Sequence, residues 1–235
     1  MKRVFFVSDK SQMKNIVVIV LAIILNIISA FTQDSNCFRQ ASFGEKNICL
    51  PEIDGYQECY TDPIVKEIAD ATEAPSNVVL GYYLNKETYR RRDSIGLFRF
   101  DDYFKVYGTL EIQDLIADEL ILEQMNELLS GNFISKNWTE MSQEIDKVGL
   151  DVEIGVPIII ESYRIDNKSF TMILLIKYAF EGIEPYTIAT TINGYLKQDR
   201  LIWMAYYLNY NSKETIAALK LKSNQILKEL IEAKN

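Results

Sequence analysis

Between Val156 and Leu208 four stretches rich in β-branched and aromatic residues follow one another, "VPIIIESYRI", "SFTMILLIKYAF", "PYTIATTIN" and "RLIWMAYYL", separated only by short polar breaks. Side chains in a strand alternate between faces. In the second stretch Phe170, Met172, Leu174, Ile176, Tyr178 and Phe180 fall on one face, and Ile173, Leu175 and Ala179 on the other, so both faces must be covered. The third alternates more cleanly, with Tyr186, Ile188, Thr190 and Ile192 against Thr187, Ala189 and Thr191. The breaks at 166–168, 182–185 and 197–200 are too short for a crossover, so each strand must return beside the last as an antiparallel meander. Asn193-Gly194 is a competing turn that would shorten the third strand.

The first half supplies helices and further strands. "DPIVKEIADATEA" offers Asp62 as a cap and Pro63 at the first helical position, then Ile64, Val65, Ile68 and Ala69 on one side, predicting a helix that ends near Glu73, before Pro75. "NVVLGYYL" and "GLFRFDDYFKVYGTL" read as strands separated by the polar residues 90–93. "IQDLIADELILEQMNELLSGN" predicts one long helix, with Ile112, Leu115, Ile116, Leu122, Met125 and Leu129 at helical spacing and Gly131 as its stop. Its other side, Asp114, Asp118, Glu119, Glu123 and Glu127, is a solvated face or one that attracts a cation or a basic partner. A further helix is expected from Trp138 to Val148. The chain closes on "NSKETIAALKLKSNQILKELIEAKN", where Asn211 caps with Glu214 three residues on, and Ile216, Leu219, Ile226, Leu227 and Leu230 form a stripe for the sheet. Lys220, Lys222 and Lys228 are expected on the wet side or in the last turns.

Together these elements predict an α+β fold: an antiparallel sheet with a C-terminal four-strand meander, helices packed on both faces and a closing C-terminal helix. "ICLPEIDGYQECY" resembles the first strand and turn of PsbP-like domains, and "WMAYYLNYNSKETIAALK" is similar to the end of that fold. The resemblance covers most of residues 47–233, assigns no residue a function, and implies a domain without enzymatic activity.

An apolar run from Ile16 to Leu25, resumed from Ile27 to Phe31 after Asn26, matches a secretory signal core of roughly 7 to 15 residues. It falls short of the about 20 residues a spanning helix needs. Lys14 precedes it, and Ala30-Phe31-Thr32 places small residues where a signal peptidase reads, predicting a leader over residues 1–32 cut between Thr32 and Gln33. A cut after Ala30 is the alternative. Met13-Lys14 opens a complete signal by itself, which makes Met13 a second candidate start. An uncleaved anchor is the competing reading, opposed by the lack of a basic cluster after the run. Cys37 follows Asp34-Ser35-Asn36, a polar stretch unlike a lipoprotein box. The expectation is a secreted or periplasmic chain, with a cysteine-containing segment at 33–60 and a single domain at 61–235 free of repeats and Pro/Gly-rich linkers.

In that oxidising setting Cys37, Cys49 and Cys59 allow one bridge. Pro51 and Asp54-Gly55 can bring the ends of "CLPEIDGYQEC" together, so Cys49–Cys59 is the expected pair and Cys37–Cys49 the next. Three clustered sulfurs without a histidine make no metal site. The leader is basic, Lys2, Arg3, Lys10 and Lys14 against Asp9, and removing its net +3 from a chain of net −8 leaves −11. Such a charge repels nucleic acid and anionic lipid. Arg90-Arg91-Arg92 is read as a solvated turn.

The chain has no histidine, which excludes Ser-His-Asp and Cys-His catalysis, H-E-x-x-H zinc hydrolysis and histidine-held haem or copper. No dinucleotide-binding glycine motif, P-loop, EF-hand or S-x-x-K tetrad is present, and no cofactor is implied. An enzyme would be left with carboxylate chemistry, one acid working with one ionised partner. The strand carboxylates are Asp101, Asp102, Glu153 and Glu161. Asp101 and Asp102 point to opposite faces of a regular strand; Glu161, flanked by apolar residues, reads as an edge or partner-satisfied carboxylate, the alternative being a partly buried one with Arg164 as neighbour. Tyr82-Tyr83 and Tyr206-Tyr207 are residue types found at sugar and protein contacts, with one of each pair expected in the core. Asn137-Trp138-Thr139 and Asn167-Lys168-Ser169 match the glycosylation pattern. The sequence therefore points to an exported, non-enzymatic domain of the cell envelope or exterior that binds a protein or small ligand, with a membrane only through an uncleaved leader. A carboxylate-dependent hydrolase and an assembly factor of a membrane complex are the alternatives.

Overall fold

The computed structural model of the chain describes residues 37–94, 100–131, 133–146, 152–180 and 182–234. The leader and its cut between Thr32 and Gln33 lie outside the described residues, as do the head of the strand expected from Gly96 and the tail of the helix expected to reach Val148. The first elements are β1 (Cys37–Phe43), β2 (Lys46–Pro51), β3 (Tyr56–Glu58), α1 (Pro63–Ala71), β4 (Asn77–Asn85), α2 (Lys86–Arg90) and β5 (Tyr103–Thr109). Then come α3 (Glu119–Ser130), α4 (Phe133–Lys136), α5 (Trp138–Asp146), β6 (Glu153–Ile154), β7 (Ile158–Asp166), β8 (Ser169–Phe180), β9 (Ile183–Lys197), β10 (Arg200–Asn209) and α6 (Lys213–Glu232).

The meander forms as the alternation requires, β7 through β10 pairing antiparallel in sequence order. Gln198 and Asp199, both at positive φ, make the two-residue hairpin between β9 and β10. Asn193-Gly194 is not a turn: both residues lie inside β9. Gly194 opposes Phe170 on β8, and a Cβ added there would sit 2.5 Å from the phenylalanine ring, so the glycine makes room for a cross-strand aromatic. β5 joins the far side of β10, and β4 and β3 follow, giving the order β3-β4-β5-β10-β9-β8-β6 with β7 also on β8. β7 is thus outermost, bulged between Ile159 and Glu161 and between Arg164 and Asp166, with Ile158, Ile160 and Ile165 exposed. At the opposite side β4 is overlaid by the separate β1–β2 hairpin, from which the Arg39 guanidinium donates to the Leu80 carbonyl and to both oxygens of Glu58.

Each sheet face carries its own core. One face, with Leu80, Tyr83, Phe104, Val106, Ile173, Met204 and Tyr206, packs on the hairpin and on Leu219, Ile226, Leu227 and Leu230 of α6. Each of these aliphatic side chains contributes about 1.5–3 kcal/mol on full burial. Thr191, Asn193 and Ser223 form a dry hydrogen-bonded group there, with Thr191 and Ser223 hydroxyls 2.7 Å apart. On the other face α1 covers Val79, Tyr82 and Leu84, while α3, α4 and α5 cover Phe170, Met172, Leu174 and Trp203. The α+β architecture with helices on both faces is as expected.

Three local expectations need correction. The long helix expected from Ile112 begins only at Glu119, because the preceding residues are tied to the β9–β10 hairpin: the Ala117 amide donates to the Asp199 carbonyl at 2.9 Å, and Arg200 reaches the Leu115 carbonyl. Asp118 then caps α3 by accepting from the Ile121 amide. α6 starts on Ser212, in a capping box with Thr215, rather than on Asn211 with Glu214. The bridge joins Cys37 to Cys49 rather than Cys49 to Cys59. The β1–β2 turn at Gly44 brings Cys37 and Cys49 to 5.4 Å between Cα atoms, whereas β3 pairs with β4 and carries Cys59 into the core beneath α1. The Cys59 thiol is buried against the Tyr82 carbonyl, and desolvation pushes it up to about 12, so it is an inert core residue.

Lys197, at the end of β9, ends α6 in an unusual way. Its buried ammonium donates to the carbonyls of Leu230 at 2.9 Å, Ile231 at 3.0 Å and Ala233, the acceptors that a helix C-terminus leaves open. Burial pulls its pKa down to about 8.

Candidate functional site

The most concentrated polar chemistry surrounds Asp102, immediately before β5. Its backbone sits at φ 56°, a left-handed conformation that aspartate tolerates better than most residues. That turn separates the two neighbouring acids. Asp101 is exposed and accepts from the Asn209 amide, while Asp102 turns inward. Its Oδ1 accepts from the Tyr56 hydroxyl at 2.5 Å and the Tyr206 hydroxyl at 2.8 Å; its Oδ2 accepts from Lys222 Nζ at 3.0 Å and Asn85 Nδ2 at 3.1 Å. Burial would raise the Asp102 pKa, but the hydrogen bonds from Tyr56, Tyr206 and Lys222 together with the Lys222 charge outweigh it and hold the carboxyl below its usual range. Burial and the neighbouring Asp102 drive the Tyr56 and Tyr206 hydroxyls far above theirs. Asp102 is therefore an anchored anion with its acceptor positions filled, poorly suited to take or give a proton.

Tyr56 also forms a wall of a cleft of about 410 Å³ lined by Phe38, Glu52, Ile53, Asp54, Gln57, Glu58, Lys86 and Glu229. The floor is rigid: Tyr56 is bound to Asp102, and Glu58 is gripped by Arg39 at 2.9 Å. The rim is different. Glu52 and Asp54 are exposed on the loop between β2 and β3, and no ion pair engages either among the described residues. Phe38, half exposed, flanks Cys37 of the bridge. Lys86 is the lone cation of the lining, against four carboxylates. The arrangement can hold a positively charged group between carboxylates and aromatic rings. Among the described residues no cluster of three or more cysteine, aspartate or glutamate side chains could hold a metal ion.

The remaining sequence candidates are scattered. Glu153 is exposed on β6. Glu161 meets Lys220 of α6 at 2.6 Å, not Arg164, whose Nε donates to the Asp166 carbonyl, and both members of the pair are substantially exposed. In the 90–92 run, Arg92 is not a solvated residue: it bonds Asp62, the cap of α1, at 2.8 Å and covers the Tyr89 ring. Of the tyrosine pairs, Tyr206 enters the α6 core with Tyr207 half-buried, as expected, whereas both Tyr82 and Tyr83 are buried, one in the core of each face. Tyr82 and Tyr207 face the other way, where Tyr82, Tyr103 and Tyr207 stack in a row across β4, β5 and β10. Asn137 spends its side-chain amide on the Phe133 carbonyl, and Asn167 gives its own to Glu119.

Sequence reasoning missed Tyr56, Asn85 and Lys222. The signal for Lys222 was present, since it lies three residues after Leu219 and four before Ile226 and so sits on the buried stripe rather than the wet side.

No family model matches the chain, and no curated protein does. Among solved structures it is similar to the Ran-binding protein Mog1p of Saccharomyces cerevisiae, with 11% identity, a TM-score of 0.35, and 83% of this chain and 93% of that chain covered. A mutant form of Mog1 gives 11% identity and a TM-score of 0.34 over the same shares. A superposition this loose carries no information on partners, and the functional reading rests on the geometry of the cleft.

Proposed function

We propose that this chain is an exported, non-enzymatic binding domain that takes the positively charged group of a protein or small ligand into the cleft beside Tyr56. The observation that carries the reading is the contrast within that cleft: a floor in which Glu58 is locked by Arg39 and the Tyr56 hydroxyl by Asp102, under a rim where Glu52 and Asp54 have no ion-pair partner among the described residues. A hydrolase needs a proton-bearing acid next to an ionised one. Here the inner carboxylates are committed to holding the fold. The Cys37–Cys49 bridge supports export, because such bridges persist in oxidising compartments.

The test is a calorimetric titration of the protein with spermidine. Saturable binding that weakens about tenfold when Glu52→Gln and Asp54→Asn are combined, and weakens with added salt, is the expected result. Absence of saturable binding, or equal binding by the double variant, would remove the cleft as the site.

A further inference from the structure

The outer face of α3 does not look like the surface of a solvated helix. Leu120 is 60% exposed and Leu128 45%, with Ile116, 72% exposed, just before the helix. A solvent-facing helix normally carries polar residues at such positions, and its apolar stripe faces the core. That requirement is already met by Leu122, with Ile121, Met125 and Leu129 beside it, which pack on Phe170 and Trp203. The exposed leucines are therefore a second, unburied stripe. Beside it runs an acidic row, Glu119, Glu123 and Glu127, spaced four residues apart on the neighbouring face. At the start of the helix Glu119, the first of the acidic row, lines a hollow of about 270 Å³ where Asp118, Glu119 and Asp199 outnumber Lys168.

We propose that this face docks a basic amphipathic helix of a partner protein. An exposed apolar stripe marks a contact surface, and the acidic row specifies the charge of what it contacts. Leu120 and Leu128 are eight residues apart, about 12 Å along the axis, a distance matched by apolar residues two turns apart on a facing helix. Lysines or arginines flanking that partner stripe lie against the glutamates and the hollow. Anionic lipid is repelled by the same row, and a second copy of this chain, at net −8, is a poor match for it. The surface shares no residue with the cleft beside Tyr56, so the two can fail independently.

The probe is a fluorescent helical peptide of leucine and lysine in amphipathic register, with a scrambled peptide of the same composition, titrated by anisotropy against the full chain. The register peptide binds saturably and the scrambled one at least about tenfold more weakly. Leu120→Ser with Leu128→Ser, and separately Glu119→Gln with Glu123→Gln and Glu127→Gln, each lower the affinity about tenfold, and the second set also flattens the salt dependence. Amide shift changes in the unsubstituted protein cluster on residues 116–130, a readout that does not depend on how any variant folds. Equal binding of the two peptides, unchanged affinity in both variants, or shifts that map elsewhere would overturn the proposal.

Discussion

Lys222 and Lys197 both bring an ammonium to the boundary between α6 and the sheet, yet they are held by different means. Lys222 leaves the helix to meet the Asp102 carboxylate, which two tyrosines and an asparagine also bind. Lys197 approaches from the sheet and donates only to the last carbonyls of the helix, which carry the partial negative charge of its C-terminus. The ammonium and the hydroxyls around Asp102 hold that carboxyl below its usual range. Backbone dipoles alone leave the second ammonium poorly solvated, and its proton is loosely held. One helix is thus fastened at two points whose contributions both grow as pH rises, one across the acid range and one across the alkaline range.

Asp102→Ala should have the largest effect, because it strips the acceptor from four donors and leaves Lys222 half-buried without its partner; a loss of about 3–5 kcal/mol in urea unfolding is expected. Asp102→Asn, which keeps the tolerance for left-handed backbone, should lose less than half of that. A loss under about 1 kcal/mol for the alanine variant would mean that the knot is ornamental to the fold.

Next in size is the alkaline response. The folded-state pKa of Lys197, about 8, lies below its ordinary 10.5. Between those values the unfolded chain holds the proton that the folded chain has released, so stability rises with pH, by about 1–3 kcal/mol for this group. Lys197→Met should flatten the rise in unfolding curves taken from neutral pH to about 10, where tyrosine ionisation takes over. A variant that still shows the full rise would separate it from Lys197.

The acid limb has the same sign, stability rising with pH, and is smaller, because the Asp102–Lys222 pair is more exposed. The Asp102 pKa is lowered from 3.8, so its contribution is fully present above that value and is lost as pH falls through the lower folded one. Asp102→Asn should unfold with a flatter acid limb than the unsubstituted protein. Smallest is the coupling between the two hydroxyls on Oδ1: a double-mutant cycle with Tyr56→Phe and Tyr206→Phe should give about 0.5–1.5 kcal/mol. Strict additivity would show that they bind Asp102 independently.

The meander was readable in the sequence because long strands with alternating side chains and short breaks admit few other arrangements. The start of α3 was not, since Ile112, Leu115 and Ile116 keep helical spacing while the Leu115 carbonyl and the Ala117 amide are claimed by Arg200 and Asp199, residues far along the chain. Asp118 was the overlooked cap. The bridge was misjudged for a similar reason: turn chemistry between Cys49 and Cys59 served to place β3, and the hairpin on the other side of Cys49 supplied the partner. Nothing local could announce the Asp102 site, whose partners lie 46 residues before it, at Tyr56, and 104 and 120 after it, at Tyr206 and Lys222. Only the spacing of Lys222 within its own helix hinted at an inward role.

The two bulges in β7 have a consequence for the protein in a crowded compartment. An outermost strand that begins Ile158-Ile159-Ile160 offers sticky side chains and open backbone groups, the ingredients for copy-upon-copy stacking into fibres. Each bulge bends the strand and breaks the even rhythm of its outward amides, so an incoming flat strand finds no continuous rung to join. Straightening that strand, by deleting Ile160 for example, would turn a blunted edge into a growth point.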